Sequence, residues 1–90
     1  MPTLRVPSQL KYYLDNQTDV ALTGETVGDI LRELVDQYPK IQSHIFDDKG
    51  QVRRHINLFV NKENIRDLKG LGTPVGEHDI VKVVPSVTGG

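Results

Sequence analysis

The stretch TVGDILRELVDQYP, Thr26 to Pro39, decides the fold class. Val27, Ile30, Leu31, Leu34, Val35 and Tyr38 recur at i, i+3, i+4, i+7, i+8 and i+11, one apolar face at helical period. Thr26 stands where a capping hydroxyl is wanted, with Asp29 three residues on in a capping-box-like arrangement. Asp29, Arg32, Glu33, Asp36 and Gln37 take the wet side, and Pro39 is a stop signal just past the end.

Two short strands precede this helix. Thr3-Leu4-Arg5-Val6-Pro7 alternates, with Leu4 and Val6 on one side and Pro7 closing it. Residues 8–18 read as polar and turn-like, with Asp15-Asn16-Gln17 at the tip, and Val20-Ala21-Leu22 reads as a second strand ended by Gly24. After the helix, Ile41 and Ile45 suggest a short helical turn, and Asp47-Asp48-Lys49-Gly50 is a turn signal. In His55-Ile56-Asn57-Leu58-Phe59-Val60-Asn61, Ile56, Leu58 and Val60 share one face while Asn57, Phe59 and Asn61 share the other, as in a central strand with one buried face. Asn61 to Asn64 turns into a brief strand around Ile65-Arg66, residues 70–79 are a Gly- and Pro-rich connection, and Ile80-Val81-Lys82-Val83-Val84 is the last strand, ended by Pro85. One helix following a hairpin, with later strands completing one mixed sheet, is an α+β design. It suggests a β-grasp of four to five strands packed on one main helix, with the domain at residues 1–85 and an extended, mobile tail at 86–90.

Ninety residues make one domain with one modest core, because a chain this short buries only about 60–65% of its unfolded surface. The 11 Lys and Arg against 12 Asp and Glu argue against nucleic acid as the main partner, since phosphate binding shows as a basic excess. No cysteine is present, which excludes disulfides, thiolate metal sites and cysteine nucleophiles. No apolar run approaches the ~18 residues of a membrane helix and no signal-peptide layout opens the chain, so a soluble cytoplasmic protein is the default.

The end Ser86-Val87-Thr88-Gly89-Gly90 invites a chemical reading. Two glycines at a given terminus arise by chance in roughly 0.5% of chains, and glycine is common in flexible ends, which is the plain explanation. Against it, the pair follows a strand within a few residues, and Gly90 taken as the chain end carries a free carboxylate. A carboxylate is a poor acyl donor because oxide is its leaving group. Transfer to a nucleotide phosphate gives an acyl-adenylate, from which sulfur can displace AMP to leave a thiocarboxylate. An activating enzyme must thread the chain end into its nucleotide site, and glycines without Cβ fit a narrow passage. The carrier supplies the acyl group and docking supplies the positioning. By period two, Ile80, Lys82 and Val84 share an outward face, and Phe59 faces outward on its own strand. Phe59, Ile80 and Val84 are a candidate docking patch, with incidental exposure as the equal alternative because strand register cannot be read from sequence.

These segments resemble the ubiquitin-like sulfur carriers of the MoaD/ThiS family. The resemblance is carried by Ile56-Asn57-Leu58-Phe59-Val60-Asn61, Leu68-Lys69-Gly70-Leu71-Gly72-Thr73-Pro74-Val75, Gly76-Glu77-His78-Asp79-Ile80-Val81 and Pro85-Ser86-Val87-Thr88-Gly89-Gly90. It covers nearly the whole chain in element order and is specific over residues 55–90. Within the family, residues 53–74 look closest to CysO-like carriers. The resemblance implies a β-grasp fold, adenylation of Gly90 by an E1-like adenylyltransferase using ATP, and a Gly90 thiocarboxylate. Gly89, Thr88, Val87 and Ser86 would lie in the partner's channel. The sulfur acceptor it implies is a PLP-dependent cysteine synthase, the carrier itself holding no cofactor. The large subunit of molybdopterin synthase is the alternative acceptor, and conjugation to lysines as a protein modifier a further reading. The chain departs from the family pattern at Glu77-His78-Asp79, where Asp-Gly-Asp is frequent, and at Ser86, where proline or alanine is frequent.

Other constellations carry little. His44, His55 and His78 have no metal-ligand spacing. Gly70-Leu71-Gly72 lacks the third glycine and the following helix of a dinucleotide fingerprint. Arg53-Arg54 reads as a solvated strand edge. Asp15, Asp47 and Asp48, and Ser8, Ser43 and Ser86, have no companion groups at a catalytic spacing, so an independent enzyme is not expected. A plain binding module with an incidental Gly-Gly end is the remaining rival.

Overall fold

The computed structural model describes residues 1–86. Alternation sets the sheet. Strands β1 (Thr3–Arg5), β2 (Asp19–Ala21), β3 (Ile56–Val60), β4 (Glu63–Asn64) and β5 (Ile80–Pro85) form one mixed sheet in the order β2-β1-β5-β3-β4. The first and last strands lie side by side and parallel in the middle, Leu4 opposite Val81, while every other pair is antiparallel. Leu4, Val20, Ile56, Leu58, Val60, Val81 and Val83 are buried on the inner face. Helix α1 (Val27–Gln37) covers that face with Val27, Ile30, Leu31 and Leu34, while Val35 and Tyr38 pack half-buried at its margin. This is the expected α+β, β-grasp arrangement.

Thr26 caps α1 as expected, its Oγ1 accepting from the Asp29 N–H at 3.1 Å. The Asp29 carboxylate turns outward to Arg32 at 3.5 Å. Glu33 is not merely on the wet side: its Oε1 accepts from the N–H and hydroxyl of Thr23 and from the N–H of Gly24, tying the end of the hairpin to the helix. At Gly28 the helix has no Cβ, and the turn Gly70–Gly72 lies against it; a Cβ there would stand 3.2 Å from the Leu71 carbonyl oxygen.

The structure revises several expectations. Residues 8–18 are not simply a turn: Ser8–Leu14 is a 3-10 helix, with Leu10 and Leu14 plugging the core and Asp15 and Asn16 turning at positive φ. Two leucines four apart are too few to show helical period among polar neighbours. The second strand is Asp19–Ala21, one residue earlier than its apolar pattern suggests, and Leu22 is buried just beyond it. The brief strand after the Asn61 turn is Glu63–Asn64, while Ile65–Asp67 is a 3-10 turn that drops Ile65 into the core. The region 38–46 matches its pattern, with Pro39–Ile41 a 3-10 turn and α2 (Gln42–Ile45) burying Ile41 and Ile45. Among the described residues Thr73 is the buried polar one, satisfied because its hydroxyl donates to the Gly70 carbonyl at 2.7 Å and accepts from the Lys69 N–H.

β5 runs one residue further than Val84 and takes in Pro85 as its last residue, opposite Ile56. In an antiparallel pair, hydrogen-bonded and non-hydrogen-bonded positions alternate. The Asn61 N–H donates to the Ile80 carbonyl and the Ser86 N–H to the His55 carbonyl, so the bonded positions of β5 are the even ones. The missing N–H of Pro85 falls between rungs and faces the side where β1 has already ended at Arg5.

Candidate functional site at the root of the chain end

The site is built where β5 leaves the centre of the sheet. The β3–β5 register places Phe59 directly across from Lys82, with Ile80 and Val84 two residues to either side on the same strand face. The three apolar residues singled out from sequence therefore surround one lysine. Val84 is exposed, while Phe59 and Ile80 are half-buried.

The neighbours of this patch are cationic. Arg5 lies across from Lys82 on β1, its Nε and Nη2 each donating at 3.0 Å to one carboxylate oxygen of Asp19 on β2. That bidentate hydrogen bond raises the Arg5 pKa and holds the Asp19 carboxyl below the usual range. Arg66 reaches back from the 3-10 turn after β4, Nη1 donating to Asn57 Oδ1 and Nη2 to the Arg54 carbonyl. Among the described residues neither Lys82 nor Arg66 stands in a salt bridge, so the face carries apolar area with net positive charge. Beside it a shallow groove of about 350 Å³ runs between Arg5, Pro7 and Gln9 on one side and Lys82, Val84 and Pro85 on the other.

Ser86 closes the strand. Its N–H donates to the His55 carbonyl at 2.6 Å and its hydroxyl donates to the same oxygen at 3.0 Å. This rung takes in Ser86, the first residue of the tail as read from the sequence. Val87, Thr88, Gly89 and Gly90 lie outside the described residues.

The opposite end of β5 is pinned by Asp79. One carboxylate oxygen accepts from Asn61 Nδ2 at 2.9 Å and the other from the Gly76 N–H at 2.7 Å, while Asn61 Oδ1 accepts from the Ile80 N–H. Asn61 adopts φ 56 to do this. The hydrogen bond from Asn61, then that from Gly76, holds the Asp79 carboxyl below its ordinary pKa against a smaller opposing effect of burial. A depressed folded-state pKa adds stability that is complete above the unfolded carboxyl value of about 3.9 and fades as pH falls through the folded value. Asp79→Ala is expected to lower stability by about 1–2 kcal/mol at pH 7, and the gap from wild type should be smaller at a pH below the unfolded carboxyl value of about 3.9. Urea unfolding at the two pH values measures it; a gap independent of pH would remove the carboxylate from the account.

Among the described residues no group of three or more His, Cys, Asp or Glu is placed to hold a metal ion, and no helix is long and apolar enough to cross a membrane. His44 is stacked on Tyr13 with ring centroids 4.1 Å apart. Arg53 is not a free edge charge, since its Nε donates to the Ser43 carbonyl at 2.8 Å. Sequence reasoning missed the Ser86–His55 rung and the grip of Arg66. Neither is announced by the sequence, because the hydrogen-bonding phase of β5 depends on its register with β3 and the path of Arg66 on the packing of Ile65.

Comparison with known proteins agrees with this geometry. Residues 4–90 match the ThiS family. The sulfur carrier protein CysO of Mycobacterium tuberculosis is 31% identical over 90 residues, covering 98% of this chain and 97% of its own. Small archaeal modifier protein 3 of Haloferax volcanii is 37% identical over 65 residues, covering 72% and 70%. A chain in the crystal structure of the Amycolatopsis orientalis BexX/CysO complex superposes with a TM-score of 0.88 at 27% identity, covering 100% of both chains. A match spanning nearly the whole chain, on the five-stranded sheet and single covering helix described above, makes this chain a member of the ThiS family with a ubiquitin-like β-grasp fold.

Proposed function

We propose that this chain is a sulfur carrier, a protein co-substrate whose reacting group is the carboxylate of Gly90. The observation that carries the reading is the position of β5: this central strand and the Ser86 that follows it run up to four residues before Gly90, beside a cationic face bearing Phe59, Ile80 and Val84. That face serves as the docking surface for an E1-like activating enzyme, and its charge calls for an acidic rim on the partner. The Gly90 carboxylate attacks the α-phosphate of ATP held by that enzyme, and pyrophosphate leaves. A sulfur nucleophile then displaces AMP, leaving a thiocarboxylate. Gly89, Thr88, Val87 and Ser86 thread the partner's channel. The carrier contributes no catalytic group of its own, and the reaction belongs in the cytoplasm, where ATP is.

The likeness to CysO supports delivery of the sulfur to a PLP-dependent enzyme of cysteine biosynthesis. The likeness to small archaeal modifier protein 3 supports a second reading, conjugation through Gly90 to target lysines. Intact-mass spectrometry after incubation with ATP, a sulfide source and the cognate activating enzyme separates them. A gain equal to the difference between one sulfur and one oxygen atom, mapped to Gly90, is the expected result. No gain with a demonstrably active enzyme, together with conjugates that survive thiol reductant, would select the modifier.

A further inference from the structure

We propose that the groove between the Ser8–Leu14 3-10 helix and the C-terminal end of α1 binds a proline-rich segment of a partner protein, extended as a polyproline II helix and carrying an arginine. The inference goes beyond the sulfur-carrier reading and does not depend on it. The groove shares no residue with the face of Phe59, Ile80, Lys82 and Val84. The chain has three tyrosines and no tryptophan, and all three tyrosines, Tyr12, Tyr13 and Tyr38, line this one groove of about 480 Å³.

Each ring is held in place. Tyr13 packs half-buried against the core, with the His44 ring stacked on it at a centroid distance of 4.1 Å. Tyr12 stands edge-on to Tyr13, centroids 5.2 Å apart, and is 78% exposed, so its ring is an open wall of the groove. Tyr38 is also half-buried, and its hydroxyl oxygen accepts from Gln17 Nε2 at 3.1 Å, which leaves the hydroxyl proton to donate. Asp15 and Asn16 turn the rim at φ 54 and 65, the N–H of each donating to the Lys11 carbonyl.

The chemistry of the lining selects the occupant. Proline rings pack against aromatic rings, and a polyproline II segment is already extended, so docking orders it at little entropic cost. Such a segment brings backbone carbonyls and few N–H groups. The rim supplies donors to match: Lys40, the side-chain amides of Asn16 and Gln37, and the Tyr38 hydroxyl. Among the described residues the Asp15 carboxylate stands in no salt bridge, and together with the negative faces of the tyrosine rings it favours a cation. Arginine meets both demands, because its planar guanidinium stacks on a ring while donating to a carboxylate.

Binding is followed by the protein's own fluorescence, which in a chain without tryptophan comes from the groove tyrosines. The probe is a capped peptide of one arginine followed by six prolines. A saturable change is expected, with half-saturation below about 1 mM. Tyr12→Ala should weaken binding about tenfold, through loss of one aromatic face and its contact with the cation. Tyr12 is exposed, and an unchanged Tm checks that the variant keeps its fold. Asp15→Asn should weaken binding about two- to fivefold, the worth of an exposed ion pair, and only for the peptide that carries arginine. Asp48→Asn, which changes an exposed carboxylate outside the groove, should bind as wild type. No saturable change up to about 10 mM peptide overturns the proposal. Equal binding of a peptide with alanines for the prolines also overturns it, as do equal losses for Asp15→Asn and Asp48→Asn, which would reduce the effect to general charge attraction. Sedimentation of the free chain as a dimer that Tyr12→Ala converts to monomer would assign the groove to a second copy instead. None of these measurements uses the activating enzyme, so the carrier reading stands or falls separately.

Discussion

A chain lengthened by one alanine after Gly90 is expected to lose adenylation by more than about a hundredfold, because a misplacement of 1 Å at a reacting centre already costs about that much. One added residue moves the original carboxyl carbon into an amide and places the new carboxylate about 3.5 Å further along the chain. The body cannot retreat to compensate if it docks through the rigid outer face of the sheet, where Phe59, Lys82 and Val84 are fixed by the β3–β5 ladder. The added residue also brings a Cβ into a passage that glycines fit. Gly90→Ala isolates that second effect, adding a methyl group without length, and should retain more activity than the extension. Pyrophosphate release and intact mass measure both variants. Normal thiocarboxylation of the extended chain, shown by its mass to be uncut, would remove Gly90 as the reacting residue. Full cellular function after deletion of Gly89 and Gly90 would leave only a binding module.

The second large effect concerns the body and needs no partner. Gly24→Ala is expected to destabilise the fold by about 2–3 kcal/mol, at the upper end of what an extra buried methyl usually costs. A Cβ at this position would stand 2.7 Å from the Ile30 backbone nitrogen and 2.9 Å from the Asp29 carbonyl carbon and Cβ. The obstacles are mostly backbone atoms of α1, so no side-chain rotation can make room. The hairpin end could move away only by giving up the bonds that Glu33 makes to Thr23 and Gly24. For a domain of this size the loss corresponds to a fall in Tm of roughly 10–20 °C. Gly72→Ala is the control: a Cβ there meets nothing within 4 Å, and its effect should be near zero. A Tm for Gly24→Ala within about 3 °C of wild type would mean that the hairpin and helix are not held at this distance in solution.

Part of the candidate site is legible in the amino-acid order. Period two places Ile80 and Val84 on the outward face with Lys82, and Phe59 outward on β3, because side chains alternate strictly along a strand. Whether those residues meet is not legible, since alternation gives the face of each strand and not the register between strands. The pairing of Phe59 with Lys82 supplies that register, and with it a patch organised around a lysine instead of a continuous apolar surface. The cationic surroundings are also out of reach of the sequence. Arg66 comes to Asn57 only because the turn at Ile65–Asp67 folds back under β3, and that path depends on burying Ile65.

The helix, its cap, the inward face of every long strand and the family resemblance, and through these the α+β class, are all written in the order of residues. Each follows from interactions within one segment: apolar residues at a fixed period, a hydroxyl three residues from an orphan N–H, a proline past a helix end. What depends on contacts between distant segments is settled only when the chain packs. Ser8–Leu14 is a helix because Leu10 and Leu14 have a core to fill, not because its own pattern demands one. Glu33 is a brace because the hairpin end comes within reach of its carboxylate. Pro85 stays in its strand because β1 stops short and β3 asks for no hydrogen bond at that position. Ser86 is held just past β5 because that same alternation brings the His55 carbonyl to its N–H and hydroxyl.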